Sequence, residues 1–157
     1  DENRHVAGVV ANDTAYKMTN LHVDPLTFRS KLVMDSTGHE AVVLNCLSKR
    51  GIVQIRGEDT MNAQMGERGV IENTCEVYPG LVVTGMACAQ FFGTPRMGPI
   101  FGGMLISGKK AAQIASDRLA GAGFGGQPDP VQARTGDIWT IVYAPPLPAT
   151  HLRHASS

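Results

Sequence analysis

The chain has 157 residues and 43% hydrophobic side chains, enough for one domain with a packed core. It carries 14 basic and 14 acidic side chains, and this formal net charge of zero argues against a protein that binds nucleic acid through a basic surface. No apolar run approaches the roughly 20 residues that cross a bilayer, so no membrane segment is expected.

The first part of the chain predicts two strands and a helix. HVAGVVAN is rich in β-branched residues before the Asn12-Asp13 turn and predicts a buried strand. FRSKLVMDSTG predicts a second strand that ends at Gly38. The apolar run from His39 to Arg50 is nearly continuous, so periodicity cannot separate a buried helix from a buried strand. Its length of about three turns and the following Gly51 favour a helix.

The next segments alternate between strands and helices. IVQIRGED predicts a brief strand or an extended loop, and MNAQMGERGVIENTCEV predicts a helix interrupted by Gly66 and Gly69. PGLVVTGMA is the clearest buried strand, and FFGTPRMGPIFGG predicts a loop. GGMLISGKKAAQIASDRLAGAG predicts a long helix that ends at Gly121 and Gly123. Its apolar side is expected to contain Met104, Leu105, Ala112, Ile114, Ala115 and Leu119.

The last part of the chain differs in composition. Residues 124–157 contain five of the nine prolines and predict a poorly ordered tail, within which DIWTIVYA could pair as an edge strand. In residues 1–123, strands separated by helical segments indicate an α/β layer fold. Two of these strands end in Thr-Gly, and sharp turns of this kind before a helix are where α/β sheets bind ligands.

Some polar residues could carry chemistry. His22, Asp24 and His39 have the donor atoms of a site for a borderline divalent metal with positions open for substrate. Their spacing lacks the tight register of a helical HExxH motif, and from the residues alone each is more often a polar loop residue at a strand end. Arg96 lies in GTPRMGP, where two prolines stiffen the loop. Its guanidinium could clamp a carboxylate or phosphate, or lie in an ordinary surface turn.

Two further features have weaker signals. GPIFGGMLISGKK resembles a phosphate-cradling loop before a helix, but its glycines could serve close helix–strand packing, and Lys109 and Lys110 could be solvated charges. The three cysteines have no CxxC spacing, which predicts neither a disulfide framework nor a four-ligand zinc site. A reduced, cytoplasmic setting is the simplest expectation. No base is expected beside Cys46, Cys75 or Cys88, so no thiol nucleophile is predicted.

Several segments, taken in order, resemble one family. VAGVV, LHVDPLTFRSK, STGHEA, EVYPGLVVTGMA and PRMGPIFGGMLISGKKAAQIA are similar to the thiazole synthases that make the adenylated thiazole precursor of thiamine. The resemblance covers roughly residues 5–120 and is closest to the archaeal and bacterial, sulfide-dependent branch, whose members are sometimes labelled ribose or ribulose 1,5-bisphosphate enzymes. It implies a flavoprotein-like dinucleotide-binding α/β fold, present here as its C-terminal part only, because the Gly-rich N-terminal βαβ unit is missing from this sequence.

The same resemblance implies a reaction. NAD loses nicotinamide, its ADP-ribose part condenses with glycine, and sulfide supplies the sulfur with the help of Fe(2+). The thiazole ring then closes with ADP still attached. The resemblance also implies that the full-length enzyme is a homo-oligomer. Because the N-terminal half is missing, the isolated chain is expected to be inactive.

The resemblance assigns roles to individual residues. Asp24 and His39 correspond to the iron ligands of the family. His22 stands where the fungal and plant branch has the Cys that surrenders its own sulfur, and because imidazole has no sulfur to give, free sulfide is implied as the donor. Glu40 follows the metal-binding His where many members have Asp, which implies an acid–base role or a role in orienting the ligand. The residues assigned to substrate binding are Arg96, which matches the Arg that holds the glycine-derived carboxylate, and Met97, Gly98 and Met86.

Two other functions remain open from the sequence. The chain could be a fragment of an FAD-dependent oxidoreductase, because Thr-Gly strand ends also suit flavin enzymes. It could also be a non-catalytic remnant that binds nothing.

Overall fold

The computed structural model describes residues 4–12, 18–20 and 22–121, and the backbone of residues 141–142. This part of the chain has a mixed α/β architecture. In chain order its elements are β1 Gly8–Ala11, β2 Leu26–Arg29, β3 Val33–Asp35, a 3-10 helix Gly38–Glu40, α1 Val42–Ser48, β4 Asp59–Met61, α2 Ala63–Asn73, β5 Cys75–Tyr78, β6 Leu81–Val83, α3 Met86–Phe92, β7 Pro95–Arg96, α4 Gly102–Leu119 and β8 Ile141–Val142.

The strands form small sheets rather than one continuous sheet. β1 pairs with β2 antiparallel and with β8 parallel, so β8 lies at an edge, as DIWTIVYA predicted. β6 lies between β3, which is parallel to it, and β5, which is antiparallel. β4 and β7 form a separate parallel pair. Apart from β8, the predicted tail of residues 124–157 lies outside the described residues.

The prediction of one strand across FRSKLVMDSTG is wrong, because this segment forms β2 and β3 in two different sheets. The backbone N–H of Ser30 still donates to Ala7 beside the first sheet, whereas that of Val33 donates to Gly80 beside the second. The chain therefore changes sheets within three residues. A pattern of apolar residues cannot reveal this change, because both halves of the segment are extended.

The main core is built around β6, whose three residues are fully buried. Leu81 and Val83 pack with α1 and α3, whereas Val82 packs with Ala111 and Ile114 of α4. Successive side chains of a strand point to opposite faces, so helices cover both faces of this sheet. The predictions of a buried strand at PGLVVTGMA and of a helix within residues 39–50 are confirmed.

The prediction that Gly66 and Gly69 interrupt a helix is wrong, because α2 runs without a break from Ala63 to Asn73. Both glycines face the segment that contains β7. A Cβ atom on Gly66 would lie 2.5 Å from the carbonyl oxygen of Pro95, and one on Gly69 would lie 3.0 Å from Cγ2 of Thr94. The glycines therefore allow a strand to cross the helix at close range, which only glycine permits.

The helix α4 is confirmed, but its predicted apolar side is wrong in part. Leu105 and Leu119 are 74% and 57% exposed, and Ala112 is also exposed. The buried stripe of this helix consists of Gly103, Ser107, Ala111 and Ile114. The buried face of α4 consists mostly of small residues, because this helix packs closely on α2. The prediction had placed the buried face where the large apolar side chains lie.

A buried network of hydroxyl groups joins α4 to the turn that follows β6. The Ser107 hydroxyl accepts a hydrogen bond from the backbone N–H of Gly85 at 2.9 Å and lies 2.7 Å from the hydroxyl of Thr84. It also lies 2.6 Å from the hydroxyl of Thr74, which donates to the carbonyl of Val70. Each buried hydroxyl group of this network has a hydrogen-bond partner, as buried polar groups require. The network therefore links the Thr-Gly turn to α2 and α4.

None of the helices in the described residues is long and apolar enough to cross a membrane.

Candidate active site

A single carboxylate connects two of the residues that the sequence singled out. Oε1 of Glu58 lies 2.6 Å from Nδ1 of His39, and Oε2 of Glu58 accepts a hydrogen bond from Nε of Arg96 at 2.8 Å. The Glu58 side chain is only 5% exposed, whereas those of His39 and Arg96 are 53% and 57% exposed. The buried carboxylate thus holds two side chains that can still reach a ligand.

The loop that carries His39 is held by hydrogen bonds to Asp35, the last residue of β3. The Asp35 carboxylate is fully buried and accepts hydrogen bonds from the backbone N–H and the hydroxyl of Thr37 and from the backbone N–H of Leu44. Leu44 lies in the first turn of α1, so the carboxylate also satisfies a donor at the start of that helix. The Thr37 hydroxyl accepts from the N–H of Val42 in the same turn. The 3-10 helix with His39 is therefore held between β3 and α1.

Strand pairing brings Glu58 and Arg96 together. Arg96 belongs to β7, which pairs with β4, and Glu58 directly precedes β4. The pairing is extended on both sides, because the N–H of Asp59 donates to Thr94 and the N–H of Asn62 donates to the carbonyl of Arg96. Gly57 has a φ of +82° and turns the chain immediately before Glu58. Such a backbone conformation favours glycine.

The Glu58 carboxylate determines which ring nitrogen of His39 carries a hydrogen. A carboxylate that faces a guanidinium is ionised and only accepts hydrogen bonds. Nδ1 of His39 must then carry the hydrogen of the 2.6 Å contact. In the neutral imidazole this leaves the lone pair on Nε2, which is the form that binds a metal ion. The donor chemistry of His39 therefore fits a divalent cation.

Comparisons with known proteins identify the family. The sequence pattern described as the Thi4 family matches residues 1–101. The chain belongs to the Thi4 family. It is 60% identical over 115 residues to the thiamine thiazole synthase of Pyrococcus furiosus, and 56% identical over 119 residues to that of Pyrococcus abyssi. These alignments cover 73% and 75% of this chain but 46% and 47% of the relatives, so the chain spans about half of their length.

A solved structure of the Thi4 family agrees with this assignment. The crystal structure of Thermovibrio ammonificans THI4 matches the chain with a TM-score of 0.67 and 42% sequence identity. The match covers 74% of this chain and 47% of that structure. The resemblance found in the sequence is therefore confirmed.

The remaining residues that the family resemblance assigned lie in different surroundings. His22 and Asp24, in the segment before β2, and Glu40, beside His39, are exposed. Within the described residues, no group of three or more His, Cys, Asp and Glu side chains is arranged to hold a metal ion. The assignment of Asp24 and His39 to one iron site stays a prediction.

Two of the residues assigned to substrate binding lie in a small core cluster. Met97 is fully buried and Met86 is 4% exposed, and both pack with Val70 and Ala89. Gly98 follows Met97 with a φ of +69° and is half-buried. The Arg96 side chain is more than half exposed, and contact of any of these residues with a substrate stays a prediction.

The two glycines at the start of α4 face the neighbouring helix α2. A Cβ atom on Gly103 would lie 2.6 Å from Cγ of Glu67 in α2, and one on Gly102 would lie 2.9 Å from Oε1 of the same residue. Nζ of Lys110 donates to the carbonyls of Ile71 and Glu72 at the C-terminal end of α2. Packing between helices, rather than between helix and strand, thus accounts for Gly103 and for Lys110.

The three cysteines form no disulfide, and burial raises the pKa of each thiol. Cys88 is fully buried, and its pKa rises from 9.0 to about 12. Cys46 and Cys75 are half-buried, with pKa values raised in the same direction. Because the thiolate is the reactive form, none of these cysteines has the environment of a nucleophile.

Sequence reasoning missed Glu58 and Asp35. Glu58 is separated by 19 residues from His39 and by 38 from Arg96, so its contacts leave no local pattern. The only signal is an acidic residue directly after a glycine, near the end of the segment IVQIRGED. Asp35 ends a strand before Ser36-Thr37-Gly38, where a short polar side chain that caps the next helix is common.

Proposed function

We propose that this chain supplies the metal-binding and carboxylate-binding half of a thiamine thiazole synthase. The enzyme would form adenylated thiazole from NAD, glycine and sulfide with Fe(2+). The observation that carries the proposal is the contact of one buried carboxylate with both His39 and Arg96. The similarity to thiamine thiazole synthases of two Pyrococcus species supports the same activity.

The iron site is proposed to use Asp24 and His39. Imidazole nitrogen and carboxylate oxygen are suitable ligands for Fe(2+), and two protein ligands leave positions open for sulfide and substrate. The ion would supply Lewis-acid assistance to sulfur transfer when it is bound. His39 contributes Nε2, because its Nδ1 is engaged by Glu58.

Arg96 is proposed to hold the carboxylate of the glycine-derived part of the substrate. Its Nε donates to Glu58, and in the described part of the chain its terminal nitrogens make no hydrogen bond. A guanidinium presents its donors in a rigid, planar fork. The outward edge of Arg96 can therefore bind a carboxylate through two parallel hydrogen bonds.

His22 is proposed to line the sulfide site. Its imidazole cannot donate sulfur, so the enzyme would use free sulfide and turn over repeatedly. Near neutral pH an imidazole is also suited to proton transfer. Glu40 is proposed to assist as an acid–base group beside His39. Gly98, together with Met86 and Met97, is proposed to bind substrate.

The proposed enzyme also has the features that the family resemblance implies. These are a flavoprotein-like dinucleotide-binding fold completed by an N-terminal βαβ unit, and homo-oligomer formation. The cysteine spacing adds the proposal of a cytoplasmic location. The adenosine contacts of such folds come mainly from the first βαβ unit. The 157-residue chain alone is therefore expected to make no adenylated thiazole from NAD, glycine, sulfide and Fe(2+), as judged by mass spectrometry.

A chimera tests the function itself. The N-terminal half of the Pyrococcus furiosus thiamine thiazole synthase is fused to this chain, which is 60% identical to that enzyme over 115 residues. With NAD, glycine, sulfide and Fe(2+) under anaerobic conditions, the chimera should form adenylated thiazole. The same chimera with His39→Ala should not. A folded chimera that binds NAD and forms no product would refute the proposal.

A further inference from the structure

We propose that Glu58 is a positioning residue that fixes both functional groups of this site at once. One oxygen of its carboxylate sets His39 so that Nε2 faces a divalent cation, and the other sets Arg96 so that its outer edge faces a carboxylate ligand. The roles of the cation and the ligand rest on the proposed function. The positioning itself rests on the contacts of Glu58.

The difference in exposure between Glu58 and its two partners supports this positioning role. Glu58 is 5% exposed, and its two partners are more than half exposed. A nearly buried carboxylate is costly unless its oxygens are hydrogen-bonded and its charge is paired. Each carboxylate oxygen has its own hydrogen-bond partner, and the Arg96 guanidinium provides the opposite charge. The carboxylate is thus held inside while its partners present their other atoms outward.

The hydrogen-bonding capacity of each group leaves one arrangement. Because the Glu58 carboxylate is an acceptor only, it selects the Nδ1–H form of neutral His39 and leaves Nε2 as the ligand atom. Metal-binding histidines commonly donate their second ring N–H to such a carboxylate, and loss of that partner typically weakens metal binding by about 10–100-fold. The same carboxylate engages Nε of Arg96 and leaves the terminal nitrogens of the guanidinium for a ligand.

A glutamine at this position cannot reproduce both contacts. Its amide has one acceptor oxygen and one donor NH2 group. If the oxygen accepts from His39, then the NH2 group faces the N–H of Arg96, and two donors oppose each other. If the oxygen accepts from Arg96, then the NH2 group faces Nδ1 of His39 and favours the tautomer with hydrogen on Nε2. Glu58→Gln therefore separates a positioning role from simple filling of space.

Histidine tautomers are read directly by NMR on the whole chain. A long-range proton–nitrogen spectrum of 15N-labelled protein, recorded at mildly alkaline pH, distinguishes the two neutral tautomers by their nitrogen signals. The signals of His39 are identified by their loss in His39→Ala. Wild-type protein should show His39 with hydrogen on Nδ1, and Glu58→Gln should lose this preference. Hydrogen on Nε2 in the wild type, or an unchanged tautomer in Glu58→Gln, would overturn the proposal.

Asp59→Asn is the matched control. Asp59 is the next residue along the chain, is exposed, and accepts a hydrogen bond from the backbone N–H of Thr60. This variant removes the same charge one residue away and should leave His39 unchanged. The Nε–H of Arg96, identified by Arg96→Lys, should exchange slowly with solvent in wild type and Asp59→Asn but rapidly in Glu58→Gln. Equal exchange in Glu58→Gln and wild type would also overturn the proposal.

The cation is tested with Zn(2+), a diamagnetic probe that also binds neutral imidazole. Zn(2+) should shift the Nε2 signal of His39, and Glu58→Gln should weaken the binding by about 10–100-fold. Equal affinity in both proteins, or no shift of Nε2 in the wild type, would overturn the metal-facing role.

The chimera distinguishes failure of the positioning role of Glu58 from failure of the proposed function. If the chimera forms product while His39 carries hydrogen on Nε2, the positioning role of Glu58 is refuted and the proposed function stands. If His39 has the expected tautomer and the chimera forms no product, the proposed function is refuted and the positioning role stands.

Discussion

Replacing Gly66 by Ala should destabilise this protein, although the same change usually stabilises a helix. In an exposed helix interior, Gly→Ala gains about 1 kcal/mol. At Gly66, however, the added Cβ would lie 2.5 Å from the carbonyl oxygen of Pro95 and 2.9 Å from both C of Arg96 and N of Met97. Ordinary contacts begin near 3.4 Å, and all three atoms belong to the backbone of one crossing segment. The helix and that segment must therefore separate.

The magnitude follows from two opposing effects. Overpacking of this kind costs about 1–3 kcal/mol, and the gain in helix propensity offsets about 1 kcal/mol of it. Gly108→Ala in α4 is the control, because a Cβ there meets no atom of the described residues within 4 Å. Gly108→Ala should be more stable than wild type by up to about 1 kcal/mol. Gly66→Ala should be less stable than this control by about 1–3 kcal/mol.

Urea denaturation followed by far-ultraviolet circular dichroism measures these differences. Both variants should keep the wild-type dependence of the free energy of unfolding on urea concentration. Because the clash falls on the peptide that joins Arg96 to Met97, Gly66→Ala should also speed the solvent exchange of the Arg96 Nε–H. If Gly66→Ala proves as stable as Gly108→Ala, the close crossing of α2 and β7 is not present in solution.

Three further predictions concern buried groups and the sulfide site. Thr74→Val should cost about 1–3 kcal/mol because it removes a hydroxyl with two partners, whereas Thr94→Val should be neutral or stabilising because the buried Thr94 hydroxyl has no partner among the described residues. Equal effects of the two variants in urea denaturation would contradict the assignment of the buried network. The raised pKa of Cys88 means that the folded state keeps this proton after the unfolded state has lost it, so stability that is full below pH 9.0 should be lost progressively as the pH approaches about 12, by up to about 4 kcal/mol. Cys88→Ala should lack this part of the loss, and parallel pH profiles of the free energy of unfolding in the two proteins would refute the burial argument. His22→Ala in the chimera should lower the rate of thiazole formation with iron retained, and an unchanged rate at saturating sulfide would remove any chemical role for His22. His22→Cys should form product without sulfide and leave a chain lighter by the mass of hydrogen sulfide, whereas no sulfur-containing product would show that this residue does not select the sulfur donor.

Local patterns in the sequence were enough for the elements that are buried on both sides or long. β6 and α4 follow from a short apolar run and from a long helical segment, and α1 follows from its length and the glycine after it. The resemblance in motif order was enough for the Thi4 family, because a block such as PRMGPIFGGMLISGKK is long and specific. His39 and Arg96 were singled out in the same way, and the structure joins them through one carboxylate.

The tertiary structure alone decided how these elements meet. Glu58 contacts His39 and Arg96 only because β4 pairs with β7 and because Asp35 holds the loop after β3, and both depend on residues that are far apart in the chain. Gly66 suggested an interrupted helix until the crossing of β7 showed why a side chain is excluded there. The inner face of α4 was misassigned for the same reason, since the partner that it packs against favours small residues. Periodicity records which residues of one element are apolar, but close approach and shared hydrogen bonds are set by the element on the other side.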